Sequence, residues 1–310
     1  LMKMGIITKQ TKTVETLGSA TVICTDKTGT ITENKMSLAE LYLFDSDTII
    51  DTKDKLTTEA EEVLNYAMWS SEPIPFDAME IAIHEAYSNF ESDDERPNFK
   101  LVHEYPLSGK PPMMTHIFEN ESGKKIIAAK GAPEALIEVS HLSEAEKNQI
   151  LTAMKSMTQK GFRVLGVGVS DFSGTDYPET QQALKFNFKG LVAFYDPPKH
   201  NIQAVFETFY KAGIQVKIVT GDNAETTSTI AKQVGFKNAD KVLNGDELMA
   251  MDEATLKEKV METTIFTRMF PEAKLKIIQA LKANNQIVAM TGDGVNDGPA
   301  LKSAHIGIAM

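Results

Sequence analysis

Ala20-Thr21-Val22-Ile23-Cys24-Thr25-Asp26-Lys27-Thr28-Gly29-Thr30-Ile31-Thr32 decides the fold. An apolar, β-branched run, Ala20–Cys24, stops abruptly at a carboxylate followed by a small polar turn containing Gly29. A buried strand delivers one side chain to the edge of a parallel sheet in this way, and open α/β sheets place their chemistry at that edge. The plainer reading is an Asp-Gly turn after a strand. The rest of the chain separates the two.

Two further apolar runs end in similar polar turns: Val216–Val219 before Thr220-Gly221-Asp222, and Ile287–Met290 before Thr291-Gly292-Asp293-Gly294. Helical patterns, Ala224–Val234 and Pro271–Ala283, lie between them; the second carries Ala273, Leu275, Ile277, Ile278 and Leu281 with lysines opposite. Strand, helix, strand with short apolar runs predicts a doubly wound α/β sheet. The stretch from Met36 to Tyr195 differs. Strand-like runs at Lys125–Ala129, Val164–Val169 and Leu191–Phe194 are interrupted by helical patterns near Glu59–Ser70, Asp77–Tyr87 and Glu144–Met157. This predicts an inserted α+β domain with an antiparallel sheet. Asp196-Pro197-Pro198 marks the return, because proline stiffens a connector and ends regular structure. The expected organisation is a discontinuous domain, 1–35 with 196–310, holding an insertion, 36–195, with Asn34–Met36 and Phe194–Pro198 as the two crossing strands.

The chain of 310 residues is long enough for two cores, with 42% apolar and 24% charged residues. A net charge of −11 argues against a nucleic-acid partner. Cys24 is the single cysteine, so no intrachain disulfide forms; a reducing compartment is expected, with Cys24 filling a strand. No run approaches the ~20 apolar residues of a spanning helix, and no signal peptide is visible. Ile306–Met310 reads as a strand without a terminator, as though the chain were cut from something longer.

In a parallel sheet the three strand ends converge, bringing together Asp26, Thr28, Thr220, Asp222, Asp293 and Asp297. Crowded carboxylates repel unless a cation or protonation offsets them. A hard divalent ion is the simplest solution, and Mg²⁺ suits carboxylate plus phosphate oxygens. Singly, each Asp reads equally well as a turn or cap residue. There is no GxxxxGK[ST] loop and no Cys/His cluster for a soft metal.

The run Asp26-Lys27-Thr28-Gly29-Thr30 resembles the phosphorylation motif of the P-type ATPases, a branch of the haloacid dehalogenase-like fold. That resemblance implies that Asp26 accepts the γ-phosphoryl group of ATP. It implies that Thr220 and the backbone at Gly221, with Asp222, hold phosphoryl oxygens, and that Lys274 neutralises developing charge. Asp293 would bind Mg²⁺ with Asp26 and the Thr28 carbonyl, while Asn296 and Asp297 complete the polar floor. Phosphatases of this fold usually carry a second Asp two positions after the nucleophile. Here that position is Thr28, and loss of a general acid/base costs roughly 10²–10⁴-fold. A lasting aspartyl-phosphate is the expectation.

The insertion adds to the resemblance. Lys130-Gly131-Ala132-Pro133-Glu134, after Lys125–Ala129, looks like the nucleotide-domain motif of pumps for light metal ions, with Lys130 reaching ATP. It also reads as a strand–turn–helix with Pro133 in the first helical turn. Gly161-Phe162-Arg163 resembles the segment whose arginine bridges the two domains through ATP phosphates. Phe76-Asp77-Ala78-Met79-Glu80 resembles the acidic segment beside adenine, with Glu80 as the contact; Asp77 and Glu80 also fit an N-cap and its capping-box partner. Three positions depart from the family pattern. Leu107 stands where a Phe commonly stacks on adenine, which predicts weaker or differently posed nucleotide binding. His305 replaces a frequent acidic residue, and Lys199 a usual arginine.

By resemblance, then, this would be the ATP-binding and phosphorylation region of a cation-transporting P-type ATPase, at the cytoplasmic face of a membrane, with Mg²⁺ as cofactor and ATP as substrate. Transmembrane and actuator domains of the same chain would be its partners, and the region itself would not insert in the membrane. A soluble phosphatase of the same fold and a non-catalytic nucleotide-binding module are the rivals.

Overall fold

The computed structural model describes residues 16, 18–90, 95–174, 176–292 and 297–310. In chain order, β1 (Val22–Thr25) precedes a long excursion: β2 (Ser37–Leu43), β3 (Thr48–Asp51), α1 (Thr58–Trp69), α2 (Ala78–Phe90), β4 (Phe99–Ser108), β5 (Met113–Asn120), β6 (Lys125–Gly131), α3 (Pro133–Val139), α4 (Glu144–Thr158), β7 (Arg163–Val169) and β8 (Asn187–Tyr195). Then follow α5 (Ile202–Lys211), β9 (Gln215–Val219), α6 (Ala224–Gln233), β10 (Val242–Asn244), α7 (Gly245–Ala250), α8 (Glu253–Glu262), β11 (Ile265–Thr267), α9 (Pro271–Ala283), β12 (Val288–Gly292), α10 (Gly298–Ser303) and β13 (Ile306–Ala309). The chain separates into two units, Leu1–Asn34 with Asp196–Met310, and Lys35–Tyr195.

The first unit holds a six-stranded sheet in the order β10-β11-β9-β1-β12-β13, every pairing parallel. β1 is central, with Thr25 level with Ile218 on β9 and Thr291 on β12. From β1 the chain moves to β9 on one side and later to β12 on the other, so the connections diverge at the carboxyl end of β1. A crevice opens there in doubly wound sheets. Side chains alternate across the sheet as the pleat demands. Val22, Cys24, Val288 and Met290 join Ala273, Ile277, Ile278 and Leu281 of α9 on one face. Ile23 and Ala289 meet Phe209 of α5 on the other. Burying each Leu, Ile or Val of these layers contributes ~1.5–3 kcal/mol before chain entropy is charged against it.

The second unit is a seven-stranded antiparallel sheet, order β3-β2-β8-β7-β6-β5-β4. α1 and α2 cover one face through Val63, Leu64, Met68 and Ile83, and α3 and α4 the other through Leu136, Ile150 and Met157. α4 begins with a formed capping box, Ser143 with Glu146.

A parallel α/β sheet and a separate antiparallel α+β sheet are what the strand patterns predict. The differences are instructive. β12 runs to Gly292 rather than ending at Met290, because Thr291 and Gly292 still pair with Ile308 and Ala309 of β13. β6 runs to Gly131, so Lys130 and Gly131 are strand residues rather than a turn. Met114 and Met113 of β5 pair with them on one side, and Val167 and Gly166 of β7 on the other. A Cβ on Gly131 would lie 2.5 Å from the Met113 Cα, so only glycine lets β5 approach this closely.

Candidate active site

Asp26 follows β1 directly. Its backbone N–H donates to the Thr291 carbonyl, and its Oδ1 accepts from the Lys27 N–H at 2.8 Å, which holds the carboxylate at the sheet edge. Burial pushes the Asp26 carboxyl up to about 6; the Lys274 ammonium opposes the shift, and Asp297 and Asp222 add to it. Lys274 stands in the first turns of α9, which opens with Pro271 at its N-terminus. Its Nζ donates to Asp297 Oδ1 at 2.6 Å and lies 3.8 Å from Asp26 Oδ2. Asp297 is fully buried, and its Oδ2 has no hydrogen-bond partner among the described residues. A Cβ on Gly292 would collide with that carboxylate, so glycine at the end of β12 makes the room that Asp297 fills.

Thr220 follows β9 and is buried; its Oγ1 accepts from the Asp222 N–H at 3.2 Å, which shapes the turn through Gly221. Asp222 forms an ion pair with Lys27. Lys27 carries no role in the sequence pattern, yet inside its polar turn it is only 3% exposed. The signal was its position between a strand-end carboxylate and the Thr220–Asp222 turn. Thr28 lies half-buried in the turn after Asp26. That turn is pinned from Lys199, whose Nζ donates to the Gly29 carbonyl at 2.7 Å, and by Thr32 Oγ1, which donates to Asp196 Oδ2 at 2.6 Å. Asp293 and Asn296 lie outside the described residues.

Three carboxylates, Asp26, Asp222 and Asp297, therefore face two ammonium groups, Lys27 and Lys274, leaving net negative charge in a buried place. The donors are all oxygens, and one of them, Asp297 Oδ2, is unpartnered among the described residues. These residues fit a hard divalent cation such as Mg²⁺.

In the second unit Lys130 and Glu80 come together, both about 5% exposed. The Lys130 ammonium donates to Glu80 Oε1 at 2.6 Å, to the Ser70 carbonyl at 2.6 Å and to Ser71 Oγ at 3.1 Å. Burial lowers the pKa of Lys130, with Glu80 opposing. The expected capping box at α2 does not close. Asp77 Oδ1 accepts from the Met79 N–H, but Glu80 turns inward to Lys130 and the Glu72 N–H instead of back to Asp77. A buried ammonium competes better for a carboxylate than one exposed N–H does. Arg163 starts β7 and is half-buried. Leu107, near the end of β4, is 64% exposed. Cys24 is buried, and burial pushes its thiol up to about 12, so it packs rather than reacts.

A doubly wound parallel sheet whose central strand ends in a buried carboxylate, answered by a lysine from a later helix, defines a class of α/β hydrolase domain. The sequence pattern of the haloacid dehalogenase-like hydrolases matches residues 20–305, and the chain belongs to that family. The whole chain is 34% identical over 352 aligned positions to Calcium-transporting ATPase 1 of Saccharomyces cerevisiae (strain ATCC 204508 / S288c), covering 37% of that protein. It is 32% identical over 332 positions to Calcium-transporting ATPase 1 of Bacillus cereus (strain ATCC 10987 / NRS 248), again 37% of the relative. It is 31% identical over 355 positions to Probable cation-transporting ATPase F of Mycobacterium tuberculosis (strain ATCC 25618 / H37Rv), 39% of the relative. The chain thus spans well under half the length of these relatives. Among the described residues no helix is long and apolar enough to cross a membrane.

Proposed function

We propose that this chain is the ATP-binding and phosphorylation region of a cation-transporting P-type ATPase, with calcium the leading candidate ion. The observation that carries the reading is Asp26, held at the carboxyl end of the central strand with Lys274 and Asp297 beside it and Thr28, not a carboxylate, two positions on. A carboxylate oxygen of Asp26 attacks the γ-phosphorus of ATP; the bond to the bridging oxygen breaks and ADP leaves with its electron pair. Lys274 offsets the charge on the transferring group, and Thr220 and the Gly221 backbone orient it. Such transfer is mostly positioning and charge neutralisation. Bound Mg²⁺, held by Asp26, the Thr28 carbonyl and Asp293, would supply further charge neutralisation. Lys130, Gly131 and Glu80 line the nucleotide end, with Arg163 toward the phosphates. With no acid/base at Thr28, the aspartyl-phosphate persists long enough to drive transport by partner transmembrane and actuator domains, on the cytoplasmic face of a membrane, the plasma membrane by preference.

The test is acid-quenched incorporation of label from γ-labelled ATP with Mg²⁺. Hydroxylamine-labile label that disappears in Asp26→Asn is expected. Rapid hydrolysis of p-nitrophenyl phosphate without trapped label would turn the reading toward a phosphatase. Nucleotide binding without label, unchanged by Asp26→Asn, would turn it toward a non-catalytic module.

A further inference from the structure

His116 sits in mid-β5, fully buried, on the face of the sheet beneath the end of α1. Its Nδ1 lies 2.9 Å from the Ser71 carbonyl. A carbonyl oxygen only accepts, so Nδ1 carries the proton and Nε2 presents its lone pair. That buried Nε2 has no hydrogen-bond partner among the described residues. It points at two carboxylates. Glu104 is the residue directly opposite His116 on β4, and Glu72, three residues past α1, brings Oε1 to 3.9 Å. One ligand atom from each of the three lies within 4.8 Å of the others.

We propose that His116 Nε2, Glu104 and Glu72 form a binding site for a borderline divalent transition metal ion, Zn²⁺ by chemistry. One imidazole with two carboxylates suits such an ion, leaving a fourth position for water. A ring N–H donated to a backbone carbonyl is the usual outer support of a metal-bound histidine, since it fixes the tautomer and the ring plane. The sheet itself fixes two of the ligands, because directly opposite residues share a face. Ligand atoms around an ion with bonds of ~2.0–2.1 Å are about 3.3 Å apart. Glu104 is exposed and Glu72 half-buried, so their carboxylates can close that gap without moving the strands. The charge also fits: Lys130 is already answered by Glu80, which leaves Glu72 and Glu104 as two negative charges for a divalent ion to offset. Burial and the nearby Lys130 lower the pKa of His116, which favours the neutral ring that a metal ion needs. Ser71 joins the two places, its carbonyl accepting from the His116 Nδ1–H and its hydroxyl accepting from Lys130. The inference stands on these contacts and does not depend on the nucleotide reading.

Co²⁺ titration of the nucleotide-free chain tests it, with Zn²⁺ as competitor, and is run in the wild type and in Asp26→Asn. The expected result is an intense visible band of a low-coordinate ion, unchanged in Asp26→Asn and displaced by Zn²⁺, with Zn²⁺ raising the melting temperature. Glu104→Gln, at an exposed position that leaves folding intact, should weaken Zn²⁺ binding about tenfold or more, and His116→Gln should abolish the band. A band that survives Glu104→Gln at full affinity, or that vanishes in Asp26→Asn, overturns the proposal. So does a wild type with no band and no Zn²⁺-dependent melting shift.

Discussion

Lys274 of the parallel unit and Lys130 of the antiparallel unit are equally buried, at 4% exposure each, yet they spend their charge differently. Lys130 is closed. Its three N–H groups go to Glu80, the Ser70 carbonyl and Ser71 Oγ, so one cation meets one anion and every donor is used. Lys274 is open. Its one hydrogen bond among the described residues goes to Asp297, and a second carboxylate, Asp26, waits 3.8 Å away, beyond hydrogen-bond range. A closed ammonium has no donor left over, whereas an open one still has donors for an incoming anion. Lys217 on β9 completes the series with no carboxylate among its hydrogen-bond partners, only the Thr263 carbonyl at 2.6 Å and the Met261 carbonyl at 3.2 Å.

The comparison breaks most visibly at Lys274. Lys274→Met should cost about 3–5 kcal/mol in urea unfolding, because it strands Asp26 and Asp297 without their shared cation. It should also remove the trapped phosphoenzyme. Adding Asp297→Asn should return part of the stability and none of the phosphorylation. Recovery of both would mean that Lys274 serves the fold alone. Lys130→Met should cost less, about 3 kcal/mol, since Glu80 keeps the Glu72 N–H. Here Lys130→Met with Glu80→Gln should recover most of the loss, as expected of a balanced pair. A double variant no better than the single would show that Glu80 has a second counter-charge.

These contrasts were only partly legible in the sequence. β1, β9, β12 and α9 could be read because an apolar run broken at a polar turn, or apolar residues at helical spacing, needs nothing outside itself. Asp26 and Lys274 carry a motif, and Gly131 a resemblance. What failed was everything set by a partner strand. β6 and β12 each run two residues beyond their apolar stretch because neighbouring strands continue to pair with them. The three-residue strands β10 and β11 are too short to show a period at all. Lys27 is placed by Asp222 from another strand end, a partner that no local spacing announces. His116 gave no signal, since its interest lies in Glu104 opposite it on β4, a relation fixed by register and not by spacing.

Lys217 sharpens the series through pH. Burial lowers its pKa from 10.5 to about 8. Between those values Lys217 binds fewer protons in the folded chain than in the unfolded one, so its contribution to stability rises with pH from 8 to 10.5, by up to about 3 kcal/mol, and is lost as pH drops toward 8. Urea midpoints should climb in the wild type from pH 8 to about 9, above which the raised Cys24 thiol opposes the climb, and Lys217→Met should lose the rising component. An unchanged climb in the variant would assign it to another group.

The smallest effect is expected on the antiparallel unit, at Leu107. Leu107 is exposed on β4, at the position where the resembled family commonly places a Phe against adenine. An aromatic ring offers a π-face to a base, worth ~1–3 kcal/mol, which an aliphatic side chain lacks. Leu107→Phe should therefore tighten ATP by about tenfold in calorimetric titration, the lower part of that range, because an exposed ring stays partly hydrated. The gain should appear equally with ATP, ADP and AMP, since stacking involves only the base. It should leave Lys274-dependent phosphorylation at saturating ATP unchanged. A gain confined to ATP would place the ring near the phosphates. No gain with any nucleotide would mean that the base lies elsewhere on the antiparallel unit and that the closed Lys130–Glu80 pair supports the sheet without meeting the nucleotide.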